Sequence, residues 1–192
     1  MENKIRCSWP TNLPIYLDYH DNEWGRPIHN DQKLFEKLIL DGMQAGLSWL
    51  TILKKREAFR AAFDNFDYHK VAAYDETKVA ELLTNPGIIR NRLKINGAIT
   101  NARLFIEVRQ KYGSFDNFVW SYVDYKPIIN QLQRLEDMPA TSPIADKLSA
   151  DLKKLGFKFV GPTIMYAFMQ AAGLINDHLV DCFVRNEIIK NY

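Results

Sequence analysis

The chain has 192 residues, 47% of them hydrophobic and 12% aromatic, enough to enclose one compact core over residues 1–192. Lys and Arg total 25 against 23 Asp and Glu, a formal net charge of +2, so bulk electrostatics neither demands nor excludes a nucleic-acid partner, and any surface for one has to be local. The opening MENKIRCSWP lacks the apolar run of a signal peptide, and no stretch approaches the roughly 20 apolar residues of a membrane span, so a soluble, intracellular, cytoplasmic protein is expected.

The periodicity predicts an all-α chain. From Asn30 to Ala45, Leu34, Phe35, Leu38, Ile39 and Met43 recur at helical spacing, with Asn30 or Asp31 as cap. Gly46 breaks that helix, and Ser48 starts another, with Trp49, Ile52, Leu53, Phe59 and Phe63 opposite Lys54, Lys55, Arg56 and Arg60. Further helices are predicted over Asp67–Tyr74, Thr77–Leu83, Ile88–Tyr112, Ser114–Tyr122, Ile144–Leu155 and Thr163–Ala172. The stretch from Asp124 to Pro143 holds three prolines and reads as a connection with short helical pieces. No strand is expected.

Three groups of residues suggest chemistry. Near the start stand Cys7 and His20, and near the end His178 and Cys182, a Cys2His2 set suited to tetrahedral zinc. His178 and Cys182, four apart, would face the same way on a helical turn, and a closed shell of four protein ligands makes the metal structural. The bland alternative is two unrelated buried cysteines and two ordinary histidines.

The second group is the glycine-flanked turn Gly156-Phe157-Lys158-Phe159-Val160-Gly161-Pro162-Thr163, which looks like a helix-hairpin-helix turn. Such a turn can present backbone N–H groups to a phosphate, although glycine-bounded connections are usually structural. Lys158, Gly161 and Thr163 are its candidate contacts. A weaker candidate is the helix opened by Gly87-Ile88-Ile89-Arg90, with Arg90, Arg92, Lys94 and Arg103, for which a solvated basic face is the commoner explanation.

The third group is aromatic: Trp9, Tyr16, Tyr19, Trp24 and Trp49. Most such residues are core, yet an enzyme acting on a base must stack it and read its polar edge with a few buried groups. Asp41 and Gln44 supply a carboxylate and an amide beside a tight turn, on which Gly46 and Leu47 are placed to enter the gap left by an extruded base.

These residues fall in YHDNEWG (Tyr19–Gly25), QAGLSW (Gln44–Trp49), LKKREAFR (Leu53–Arg60), GIIRNR (Gly87–Arg92), FVWS (Phe118–Ser121), GFKFVGPT and NDHLVDC. In order and spacing, over about residues 7 to 182, the set resembles the 3-methyladenine DNA glycosylase I family of the helix-hairpin-helix superfamily. The resemblance implies a DNA repair enzyme, most simply monomeric, acting on alkylated double-stranded DNA with water as second substrate. It would excise cationic 3-methyladenine and leave an abasic site.

It further implies that Cys7, His20, His178 and Cys182 hold structural zinc, and that Trp9, Tyr19, Trp24, Asp41, Gln44 and Trp49 bind the base. Among these, Asp41, Tyr19 and Trp49 are the expected catalytic residues. Asp41 stands where the family pattern has a glutamate, and Met43 replaces an adjacent glutamine, which would make the pocket edge less polar. Pro162 and Thr163 follow Val160-Gly161 where bifunctional relatives carry a nucleophilic lysine, so no strand-cleaving lyase step is expected.

Asp177 and Asp181 lie where other superfamily members use an aspartate, with a metal-supporting or exposed role as the alternative. Two competing functions stay open on sequence alone: a non-catalytic, structure-specific DNA-binding module, and a zinc-dependent hydrolase, which would need an open metal position.

Overall fold

The computed structural model describes residues 4–191, so the expected domain of 1–192 runs past the described residues at both ends. Ten α-helices occur among these residues. They are α1 (Pro14–Asn22), α2 (Asp31–Gln44), α3 (Trp49–Ala62), α4 (Tyr68–Ala72), α5 (Glu76–Thr84), α6 (Arg92–Tyr112), α7 (Phe115–Trp120), α8 (Pro143–Leu155), α9 (Pro162–Ala171) and α10 (Phe183–Lys190). No helix among the described residues is long and apolar enough to cross a membrane.

Helix starts are set by side-chain caps. The Asn30 side chain accepts from the Lys33 N–H at 3.0 Å to open α2, and Ser48 Oγ accepts from Thr51 at 3.2 Å to open α3. Ser142 caps α8, with Pro143 occupying the first turn, where its missing N–H costs nothing.

The same rule corrects the expected start of α6. Asn91 is extended (φ −127°, ψ 112°) and accepts from the Lys94 N–H at 3.1 Å, so the helix begins at Arg92 and residues 88–91 lead into it without helical structure. Two helices were not anticipated. Helix α1 buries only Tyr19 and His20, and α10 is eight residues long, so neither carries enough apolar repeats to show a period. The expectation of no strand also needs amending: β1 (Ile128–Ile129) and β2 (Ile175–Asn176) pair in parallel, too briefly to leave a pattern in sequence.

The main core gathers Leu34, Phe35 and Leu38 of α2, Phe105 of α6, Phe115 and Phe118 of α7 and the apolar faces of α8 and α9. A smaller cluster joins Cys7, Tyr19, Trp24, Leu53, Ala171, Leu179, Cys182, Val184 and Ile188, with Trp9, Tyr16, Trp49 and Met138 packed against it. The candidate aromatic residues Trp9, Tyr19, Trp24 and Trp49 lie on this second cluster, where the N-terminal segment, α9 and the last helix meet.

Candidate active site

A cavity of about 160 Å³ opens on the smaller cluster. All six residues expected to contact a base line it: Trp9, Tyr19, Trp24, Asp41, Gln44 and Trp49. Trp9 and Trp24 meet edge to face with centroids 5.1 Å apart, and Tyr19 and Trp49 lie 5.2 Å apart, so the walls are aromatic and braced by one another.

The polar atoms in these walls are under-partnered. Trp9 Nε1, Trp49 Nε1 and Asp41 Oδ2 are buried without a hydrogen-bond partner. Buried polar groups are ordinarily paired, so two donors and one acceptor left open in one cavity mark a place prepared for a polar ligand. Burial pushes the Asp41 carboxyl up to about 7, against the pull of the nearby Lys37 ammonium. Burial also raises the Tyr19 phenol well above its ordinary value, and the negative charges of Asp41 and Glu23 add to it, so Tyr19 is a neutral donor at physiological pH.

Behind the aromatic wall the four expected metal ligands converge. Cys7, His20, His178 and Cys182 are all buried, with their ligand atoms within 4.8 Å of one another. Cys182 Sγ lies 3.4 Å from His178 Nδ1 and 3.6 Å from His20 Nε2, and Cys7 Sγ lies 3.5 Å from His178 Nδ1. A tetrahedral ion with bonds of about 2.3 Å to sulfur and about 2.05 Å to nitrogen sets sulfur and nitrogen about 3.6 Å apart, so the donors are already spaced for one.

The other nitrogen of each ring is engaged. His178 Nε2–H donates to the Trp24 carbonyl at 2.9 Å, and His20 Nδ1–H donates to Asp21 Oδ1 at 2.8 Å, which leaves Nδ1 and Nε2, respectively, as lone pairs facing the thiols. Proximity of the two thiols and of the imidazoles lowers the Cys182 thiol, while the same pairing and burial raise Cys7, so Cys182 is the thiolate of the pair before any metal binds. The four residues can hold a metal.

One detail differs from the expectation. His178 stands in a loop and Cys182 is the residue before α10, so they converge through loop geometry and not on a helical turn. Gly25 allows the close packing here: its φ is +77°, and a Cβ would lie 2.9 Å from His178 Nε2.

At the mouth of the cavity the chain turns from α2 into α3. Gln44 to Leu47 form a type II β-turn, with Ala45 at φ −44°, ψ 117°, Gly46 at φ +77° and the Leu47 N–H bonded to the Gln44 carbonyl at 2.6 Å. Leu47 at its tip is 42% exposed. Lys94 was read as part of a solvated basic face, but it is buried and its ammonium donates to the carbonyls of Met43 (2.9 Å) and Ala45 (2.7 Å). It closes the C-terminus of α2 and braces this turn. Met43 itself sits in the main core and does not line the cavity, so the substitution there leaves the pocket edge unchanged.

Between α8 and α9 the 156–161 turn is pinned to α6. Asn101 accepts from the Lys158 N–H at 2.7 Å and donates to the Lys158 carbonyl at 2.9 Å, so that N–H is taken and is no phosphate donor. The Lys158 side chain and Thr163 are exposed, and a Cβ on Gly161 would meet nothing within 4 Å.

A model of the methyladenine glycosylase family matches residues 9–186. The chain belongs to that family. It is 51% identical over 177 residues to DNA-3-methyladenine glycosylase 1 of Escherichia coli (strain K12), covering 92% of this chain and 95% of that protein. A crystal structure of 3-methyladenine DNA glycosylase I matches with a TM-score of 0.91 at 52% identity, covering 93% of this chain and 98% of the other. A variant of 3-methyladenine DNA glycosylase I in complex with 3-methyladenine matches with a TM-score of 0.91 at 42% identity, covering 94% and 97%.

In this member of the family, Tyr16, already read among the aromatic residues, and Met138, Ala167, Gln170 and Ala171, none of these four singled out in the sequence, complete the cavity wall. Gln170, a buried amide in an otherwise apolar helix, was the available signal. Asp177 is fully buried and accepts from Asn130 Nδ2 (2.6 Å), Tyr166 Oη (2.5 Å) and Gln170 Nε2 (2.7 Å), so it orients Gln170 and does not itself line the cavity. Asp181 is exposed.

Proposed function

We propose that this chain is a DNA-3-methyladenine glycosylase that extrudes the alkylated nucleotide from duplex DNA and hydrolyses its N-glycosidic bond in the aromatic cavity. The observation that carries the reading is the group of three unpartnered polar atoms, on Trp9, Trp49 and Asp41, inside a cavity walled by aromatic rings.

Methylation at N3 makes the adenine cationic while it is still attached to deoxyribose. Breaking the bond from C1′ to N9 sends the electron pair to the base, which leaves neutral, and water supplies oxygen to C1′ and loses a proton. The leaving group is activated before it is bound, so the protein's task is to take it out of the stack and hold it as the bond lengthens. Tyr19, Trp24 and Trp49 offer stacking faces, Trp9 and Trp49 offer N–H donors, and Asp41 offers an acceptor and negative charge for the cationic base. DNA phosphates favour the positive charge that develops on the sugar. A neutral adenine gains less from the same carboxylate, which is the basis of selectivity.

The remaining assignments extend this reading. The architecture is the helix-hairpin-helix glycosylase fold in one domain, residues 1–192. Leu47, carried by Gly46, fills the gap left by the flipped nucleotide, while Lys158, Gly161 and Thr163 approach the backbone at the α9 N-terminus. Zinc is the metal suited to Cys7, His20, His178 and Cys182; with four protein ligands it takes no part in the reaction and ties the two chain ends together. The protein acts as a monomer on cytoplasmic, nucleoid DNA. Pro162 and Thr163 supply no amine nucleophile, so cleavage is monofunctional.

Methylated duplex DNA incubated with the protein should release 3-methyladenine, identified by mass spectrometry, and borohydride should trap no covalent complex. Binding without release of any base would instead identify a DNA-binding module.

A further inference from the structure

Lys37 lies on α2 one turn before Asp41, where the helical repeat alone would place an ordinary surface lysine. It is 6% exposed, and its ammonium has no hydrogen-bond partner. It sits 4.6 Å from the ring centroid of Tyr19 and 5.7 Å from that of Trp49, two of the rings that wall the cavity. Its nearest carboxylate contact is Glu23 Oε2 at 3.5 Å.

A buried ammonium is costly unless something compensates it. Glu23 does so only in part, because both its oxygens are held by Arg56, at 2.6 and 2.8 Å. The charged and titratable groups around Asp41 are then few. From α1 comes the neutral phenol of Tyr19, beyond α1 the carboxylate of Glu23, from α3 the guanidinium of Arg56, and from α2 Lys37. From α9 comes Gln170, which does not titrate. Arg56 is committed to Glu23, so Lys37 is the one of these cations that favours ionised Asp41.

We propose that Lys37 is a positioning residue that acts through Asp41: set behind the aromatic wall, it favours the carboxylate form of that side chain in the base cavity. The inference rests on the reading above, in which anionic Asp41 grips the cationic base. Without Lys37, burial alone governs Asp41 and the protonated form persists to higher pH.

The test is the pH profile of single-turnover 3-methyladenine release from methylated duplex between pH 6 and 9, for the parent, Lys37→Met, Lys37→Gln, Lys37→Arg and Glu23→Gln. Lys37→Met should move the acidic limb upward by about one pH unit or more, a loss of roughly tenfold on that limb, with the rate recovering toward pH 9. Lys37→Arg should restore the parent limb. Glu23→Gln leaves the ammonium in place, removes its other carboxylate and frees Arg56, so its limb should move downward; Lys37→Gln, a polar neutral replacement, should move the limb upward as Lys37→Met does and carries the test if Lys37→Met does not fold.

A Lys37→Met or Lys37→Gln limb that coincides with the parent's, whatever the absolute rate, overturns the proposal, as does an upward or absent shift in Glu23→Gln. Asp41→Asn separates the two readings. If it retains the parent rate and limb, the assignment of Asp41 itself fails; if it abolishes the limb while Lys37→Met leaves it in place, only the role of Lys37 fails.

Discussion

Replacing Asp41 by asparagine should make the protein more stable and less active, and the stability gain should depend on pH in a defined way. The carboxyl is fully enclosed, Oδ2 has no partner, and burial raises its titration from 3.8 to about 7. Between those values the folded chain holds a proton that the unfolded chain has released. The stability from this group is therefore complete below about pH 4 and lost as pH rises through about 7. At about 1.4 kcal/mol per pH unit the full difference is about 4 kcal/mol, an upper bound equivalent to roughly 10 °C in Tm for a chain of this size.

Asparagine has the same shape and cannot ionise. The Tm gap between Asp41→Asn and the parent should be small at pH 4.5, widen steadily, and level off above pH 7.5. Excision by the variant should fall by roughly 10- to 100-fold, the worth of one hydrogen bond to a charged group. Thermal unfolding of both proteins across the pH series, alongside base release, makes the comparison, and titrations common to both cancel. A Tm gap that stays flat from pH 4.5 to 8.5 would refute the reasoning, because the carboxylate would then be satisfied in the folded chain.

Three other outcomes follow from the geometry. Trp49→Ala removes a stacking face worth about 1–3 kcal/mol per base, so single-turnover excision should drop by roughly 10- to 100-fold. Metal removal by a strong chelator should lower Tm and quench activity together, because Trp24 packs 4.6 Å from the His178 ring and Trp9 packs 5.3 Å from His20. Metal analysis should return one zinc per chain, and intact Tm after complete zinc loss would contradict the staple. Leu47→Ala lies on an exposed tip, so unfolding stability should change by less than about 0.5 kcal/mol while excision from duplex falls and affinity for free 3-methyladenine holds.

The residues whose chemistry is local were legible in the sequence. The six base-contacting candidates lie in short motifs near the N-terminus, and the four metal donors are rare residue types set near the two ends of the chain. What escaped was what depends on tertiary approach. Gln170 reaches the cavity only because α9 packs against α2, and within its own helix it is one polar residue in an apolar run. Lys94 read as surface charge and Lys37 went unremarked, since nothing local distinguishes a solvated lysine from one buried against rings or against a helix end. The 156–161 turn was open in sequence for the same reason: Asn101, 57 residues away, takes the Lys158 N–H and leaves the Lys158 side chain exposed. Helix α1 was missed although His20 on it was picked out as a candidate metal donor, because one buried histidine and one buried tyrosine make no period.

The central claim is that this cavity accepts the methylated base, and the indole N–H groups report on it directly. Trp9 and Trp49 carry unpartnered N–H groups in the cavity wall, whereas Trp120 Nε1 donates to the Ile28 carbonyl at 3.0 Å deep in the main core and serves as an internal control. In a ¹⁵N correlation spectrum titrated with free 3-methyladenine, the Trp9 and Trp49 indole signals should shift saturably while that of Trp120 stays fixed. Excision-competent protein whose Trp9 and Trp49 signals do not move at saturating base would contradict the account.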